Sequence, residues 1–134
     1  MFGALNTSAS ALVAQRTRLE VIAANIANSG AIYNAQGEYD PYRRRIAVFA
    51  PGDPSTQSGK GVHVHKIMLD KSPLQARHQP DHPNADSQGN VYYPNINSSV
   101  EQINALEASR AYEANITAAE ATKSMIRNSL RLLA

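Results

Sequence analysis

The chain has no cysteine and no tryptophan, and its aromatic content is limited to two Phe and six Tyr in 134 residues. Without Cys there is neither a disulfide framework nor a thiolate metal site. With so few aromatics, the 43% hydrophobic content rests on Ala, Ile, Leu and Val. Ala adds little burial energy but lets helices approach closely, so helix–helix packing is expected in place of a thick globular core. No run approaches the roughly 18 apolar residues needed to span a bilayer. The start, Met1-Phe2-Gly3-Ala4-Leu5-Asn6, lacks a basic segment and an unbroken apolar stretch. No Sec-type signal peptide is expected, and a chain of this kind leaving the cytoplasm needs another export route. One-sided charge is absent as well: 13 basic and 11 acidic residues give a net charge of +2. This balance does not predict polyanion binding, although a pI near 9.0 keeps a small nucleic-acid-binding module as the alternative reading.

Catalytic signatures are missing too. There is no G-x-S-x-G, H-E-x-x-H, P-loop or Gly-rich dinucleotide turn. His63, His65, His78 and His82 could in principle hold zinc. However, Pro80 separates the last two and no ligand spacing joins the pairs, so solvated strand and loop histidines are expected. The oxygen-rich stretch from Asp81 to Asn90 fails the EF-hand pattern, with Pro83, Asp86 and Tyr92 at its third, sixth and twelfth positions. It reads as an Asx-turn loop. Arg43-Arg44-Arg45 beside Tyr39 and Tyr42 would alternate faces on a strand and so would not form one nucleic-acid surface. The residues call for no enzyme activity, no cofactor, no metal and no small-molecule substrate.

What is present lies at the two ends. From Ala4 to Asn28 there is no Pro, and Leu5, Leu12, Leu19 and Ile26 recur every seven residues with Ala9 and Ile22 beside them. This heptad-like stripe predicts a helix ended by Asn28-Ser29-Gly30, with Gly30 in a left-handed C′ position. From Ser98 to Ala134 there is neither Pro nor Gly. Ser98 and Glu101 fit a capping box. Ser109, Tyr112, Ile116, Ala119, Lys123, Ile126, Leu130 and Leu133 follow by threes and fours, and acids lead while bases trail. Glu107–Arg110 and Glu120–Lys123 are spaced to pair. Leaving four Leu or Ile of one stripe in water would cost about 6–12 kcal/mol. The two helices therefore pair, and the longer one keeps a stretch that needs another partner.

The middle holds all seven Pro. Arg43–Ala50, Gly61–Leu69, Leu74–Gln79 and Val91–Tyr93 are the extended candidates, separated by Pro- and Gly-rich turns. The expected fold is mainly α: long terminal helices packed as a coiled-coil-like pair, with a small irregular β-rich middle insert. Residues 1–30 and 98–134 would form one discontinuous helical domain, and 31–97 the insert.

Ser8-Ala9-Ser10, Ala14-Gln15-Arg16 and Asn25-Ile26-Ala27-Asn28 resemble the N-terminal signature of the axial proteins of the bacterial flagellar rod and hook. Ser109-Arg110-Ala111-Tyr112-Glu113-Ala114-Asn115 resembles their C-terminal signature. The 81–97 stretch, with His82-Pro83-Asn84-Ala85-Asp86 and Tyr93-Pro94-Asn95-Ile96-Asn97, is similar to that of a proximal-rod member. The chain departs from the family around Gly30–Glu38 and Pro51–Gly59. The resemblance implies a self-assembling structural subunit of the basal-body rod. Its terminal helices would line the inside and its insert would face outward. It implies export by the flagellar type III apparatus without a cleaved signal peptide. It implies contacts with other rod proteins, with copies of itself and with the membrane-ring and export-gate end of the rod, and none with nucleic acid. The motifs point to Asn25, Ile26, Asn28, Ser109, Arg110, Tyr112 and Asn115 as subunit-contact residues.

Overall fold

The computed structural model describes residues 2–55 and 57–134. Met1, counted above in the N-terminal segment, lies outside the described residues. Helix α1 spans Phe2–Ala27 and helix α2 spans Ser98–Leu133. Between them come β1 (Arg45–Asp53), β2 (Ser58–Leu69), β3 (Gln75–His78) and β4 (Asn90–Tyr93). The strands form two separate antiparallel hairpins, β1–β2 and β3–β4. Among the described residues no helix is long and apolar enough to cross a membrane.

The two helices run in opposite directions, because Asn25 meets Glu101 and Arg18 meets Glu107. At about 1.5 Å per residue, α2 extends roughly 15 Å past the start of α1, from about Lys123 onward. Leu132 and Leu133 there are 88% and 85% exposed, and Met125 and Leu130 are also exposed.

The contact line on α2 does not follow the largest apolar residues. It runs through Ala105, Ala108, Tyr112, Asn115, Ala119, Thr122 and Ile126, while Ile116, Lys123, Leu130 and Leu133 of the expected stripe stay exposed. Small side chains let the backbones approach, so the seam takes the Ala side of the helix. The expected stripe on α1 is covered only in part. Leu5, Leu12, Leu19 and Ile26 are half-buried and Ala9 is exposed; the buried positions are Ala14, Val21, Ile22 and Asn25. The reason is that α1 is a middle layer, with α2 on one side and the β1–β2 hairpin on the other.

Three local expectations are also corrected. The N-cap of α2 is Asn97, whose side chain accepts from the N–H groups of Ser99 (3.0 Å) and Val100 (3.4 Å). Asn reaches two orphan amides there, and this leaves Glu101 free for another role. Gly30 does not adopt a positive φ. Instead, the end of α1 is closed by the Asn28 side chain, which donates to the Ala24 carbonyl (2.8 Å). Glu107 pairs with Arg18 across the helices and not with Arg110.

Strand β1 runs on through Pro51-Gly52-Asp53, which reads as a turn in the sequence. Register shifts between Val48 and Phe49 and between Pro51 and Asp53 allow this. Gly52, at φ +90°, supplies a bulge beside a proline that cannot donate to the ladder. Strand β2 begins at Ser58, three residues earlier than expected.

The hairpin also approaches α1 closely at Gly61. Its φ is +97°, and a Cβ there would lie 2.7 Å from the Ser10 Oγ. That Oγ accepts from the Val62 N–H (3.2 Å). Gly61→Ala is therefore expected to destabilise the protein by about 1–3 kcal/mol. Urea unfolding checks this, and a midpoint equal to that of the unsubstituted chain would rule it out.

Candidate functional site

The end of α1, the start of α2 and both ends of the β1–β2 hairpin meet at one polar junction. Asn25 lies on the last turns of α1 and is 0% exposed. Its side-chain amide grips the backbone of Arg45 twice. Nδ2 donates to the Arg45 carbonyl (2.8 Å) and Oδ1 accepts the Arg45 N–H (2.9 Å). In effect the amide takes the place of a neighbouring strand at the start of β1. Asn25 Nδ2 also donates to Glu101 Oε2 (3.1 Å), and the Tyr42 hydroxyl donates to Asn25 Oδ1 (3.4 Å).

Glu101 is 1% exposed, in the first turn of α2. A buried carboxylate is costly unless it is paired and hydrogen-bonded. Its second oxygen accepts from Arg44 Nε. Arg44 Nη1 then reaches Asp70 Oδ2 (3.4 Å), just past the end of β2. The backbone of this segment is held as well. Asn95 Oδ1 accepts the Arg44 N–H (2.9 Å), and Asn95 Nδ2 donates to the carbonyls of Asp70 and Ser72. Arg43 Nη1 donates to the same two carbonyls. The three consecutive arginines thus divide their work. Arg43 and Arg44 use donors inside the fold, and the Arg45 guanidinium lies 5.2 Å over the Tyr42 ring.

Asp70 has its carboxyl held below the usual carboxylate range. The hydroxyl and N–H of Ser72 bond to it first (2.6 and 2.8 Å), and Arg44 adds to the effect. Asp86 is lowered in the same direction, chiefly by the Asn90 N–H (2.9 Å).

Of the subunit-contact residues to which the motifs pointed, only Asn25 sits in this junction. Ile26 is half-buried on α1. Asn28 and Asn115 use their amides within their own helices, on Ala24 and Ala111 (2.8 Å each). Ser109 and Tyr112 are half-buried on α2, and Arg110 points outward. The motif residues therefore do not form one cluster in a single subunit. Glu101, Arg44, Asp70 and Asn95 were not among those contact candidates. Glu101 reads as a capping carboxylate and Arg44 as one of three arginines alternating on a strand, and only the fold shows that they meet. Of the histidines, His63 Nδ1 lies 2.8 Å from the Gly52 carbonyl, within the hairpin.

Residues 5–29 match the model of the flagella basal body rod protein family, and residues 87–132 match that of the C-terminal region of flagellar basal body rod FlgEFG proteins. The flagellar basal-body rod protein FlgC of Borreliella burgdorferi is 38% identical over 99% of this chain and 97% of its own length. Those of Bacillus subtilis and Salmonella typhimurium are each 37% identical, over 98% and 92% of this chain and 97% and 90% of their own lengths. The chain belongs to the FlgC family of flagellar basal-body rod proteins. Its members are structural rod proteins and not enzymes. The first matched segment covers most of α1 and the second covers β4 and nearly all of α2, so within this family fold the Asn25–Glu101 contact joins the two matched regions.

Removing one partner of a buried pair leaves the other charge uncompensated, so Glu101→Ala is expected to cost about 3–5 kcal/mol in urea unfolding. The Arg44→Ala, Glu101→Ala double substitution should cost less than the two singles added together. Strict additivity would show that the pair does not act as a unit. The acid limb of stability follows from Asp70. In the folded chain this carboxyl stays ionised at pH values where the unfolded chain has taken up a proton. Its stabilisation is present above the ordinary carboxylate pKa, about 3.9, and is lost as pH falls through the lower folded value. The melting temperature should therefore drop between about pH 5 and pH 3, and Asp70→Asn should flatten that drop.

Proposed function

We propose that this chain is a self-assembling subunit of the proximal part of the flagellar rod, built into the drive shaft beside other axial proteins and copies of itself. The observation that carries this reading is the α2 overhang. About a third of the helix stands beyond α1 with Met125, Leu130, Leu132 and Leu133 exposed, an apolar surface that a neighbour must cover. Heterologous contacts of this kind continue into a helical filament when they do not close. In this reading the paired terminal helices form one discontinuous, coiled-coil-like axial domain, and residues 31–97 face outward. Ile26, Asn28, Ser109, Arg110, Tyr112 and Asn115 contribute to contacts between helices or subunits. Export runs through the flagellar type III apparatus without a cleaved signal peptide. The membrane-ring and export-gate end of the rod is a further neighbour. The nucleic-acid reading is weaker, because Arg43 and Arg44 direct donors inward.

Mass spectrometry of salt-washed hook–basal bodies from the native host should find the chain as a resident component, and its absence from complete particles would overturn the assignment. Replacing Leu130, Leu132 and Leu133 together by Ser should abolish motility and rod incorporation while leaving the unfolding midpoint of the soluble chain nearly unchanged. Tyr112→Ala should likewise weaken assembly more than it perturbs the soluble fold. Normal rods and swimming in both variants would contradict the role given to α2.

A further inference from the structure

The strand edges of this fold are treated unequally. At β4 the edge is closed at Tyr92. The Tyr39 hydroxyl donates to the Tyr92 carbonyl (3.2 Å) and accepts the Tyr92 N–H (2.8 Å). The β1 edge is closed at Arg45, where the Asn25 amide takes both backbone groups. In each case a side chain stands in for a missing strand. Strand β2 is covered near its start, where the Ser10 Oγ accepts the Val62 N–H (3.2 Å), but among the described residues its Ile67–Leu69 end has no such side chain and its only strand neighbour is β1.

The register shows which backbone groups are open. The Asp70 N–H donates to the Arg44 carbonyl (2.8 Å). Alternation along an antiparallel ladder then turns the backbone groups of Met68 and Lys66 toward β1 and those of Ile67 and Leu69 outward. Arg45 pairs with Leu69, and the outward groups of Arg45 are the ones Asn25 takes, which agrees with this alternation. The side chains of Ile67 and Leu69 are 51% and 54% exposed, and Met68 is exposed beside them. An exposed apolar edge strand is a template for pairing, which native folds normally blunt. Lys66 and Lys71 flank this edge and make no ion pair among the described residues.

We infer that the outer edge of β2 at Ile67–Leu69 receives an extended segment of a neighbouring, different rod protein by strand addition. The inference names a contact of the rod subunit proposed above and rests on that reading. Main-chain bonds to Ile67 and Leu69 supply affinity, and alternate side chains supply choice. The incoming segment carries apolar residues on the Ile67 and Leu69 side and a carboxylate near Lys66 and Lys71. Charge is why the occupant is not a second copy: paired edge to edge, a copy brings the same two lysines against this basic strand.

Ile67→Pro deletes an outward N–H and spares the bonds to β1, and Ile67→Lys places a charge on the edge. Each chain should keep its helix content and unfolding midpoint in solution. Retention in salt-washed hook–basal bodies should fall about tenfold, a factor equivalent to roughly 1.4 kcal/mol. Because the chain has no native Cys, an Ile67→Cys variant carries a photo-crosslinker at one site only. In intact basal bodies it should couple to an extended segment of another rod protein. A crosslinked product of two copies of this chain would overturn the occupant. Incorporation of Ile67→Lys at the level of the unsubstituted chain, with no crosslink at position 67, would overturn the edge contact while leaving the rod reading intact. Absence of the unsubstituted chain from basal bodies would instead overturn the rod reading itself.

Discussion

A carboxylate with almost no access to water organises this fold. Glu101 is tolerable where it sits only because Arg44 and Asn25 both bond to it. Each of those partners is held in turn, Arg44 through Asp70 and Asn95 and Asn25 through the Arg45 backbone. Segments far apart in sequence must arrive together before Glu101 is satisfied. An apolar plug of the same volume could be equally stable or more so, since buried ion pairs gain little over good packing. What the polar version adds is geometry, because hydrogen bonds define direction and register where apolar contacts do not. For a subunit of a rigid axial structure, a fixed angle between helices and insert matters more than a few kcal/mol.

The second constraint follows from α1 being covered on two sides. A helix between another helix and a hairpin cannot keep a single apolar stripe. It buries Ala14 and Val21 as well as Ile22, and leaves its heptad leucines half-covered. Close approach at Gly61 and Ser10, and the alanine seam along α2, are two forms of the same economy in side-chain volume. The cost is that large apolar side chains are displaced to the outside of α2 and to its overhang. In an isolated globular protein that would be an aggregation hazard; in the rod subunit proposed above it is the surface left for neighbours.

The insert has little apolar core of its own: among the described residues its buried apolar side chains are Ile32, Val91, Pro94 and Ile96. Short polar side chains hold its loops instead. Asn34 accepts from the N–H groups of Gln36 and Glu38, Asp86 from those of Gln88 and Asn90, and Asp70 from that of Ser72. The two tyrosines of the 31–39 loop reach across to the β3–β4 hairpin, Tyr33 to Asn84 in its connecting loop and Tyr39 to Tyr92 in β4. These bonds make an irregular chain definite without requiring more hydrophobic mass.

Local pattern alone determined much of this protein. Freedom from Pro and periodic apolar residues placed both helices to within about two residues, β-branched runs located β1 and β2, and the Pro- and Gly-rich turns between extended stretches bracketed β3 and β4. The terminal motifs pointed to the rod family. Those features are legible because hydrogen bonding within a helix and alternation along a strand depend on near neighbours. Pairwise meetings were not legible. Nothing near Glu101 announces burial, since a Glu in the first turn of a helix normally serves the cap and the dipole. Arg44 looks like its two neighbours, and Asp70 like any turn residue. Asn25 stood out through its motif, but its double grip on Arg45 required the hairpin to be in place. Only the tertiary structure decided which polar groups share a dry site, because desolvation depends on what the rest of the chain covers.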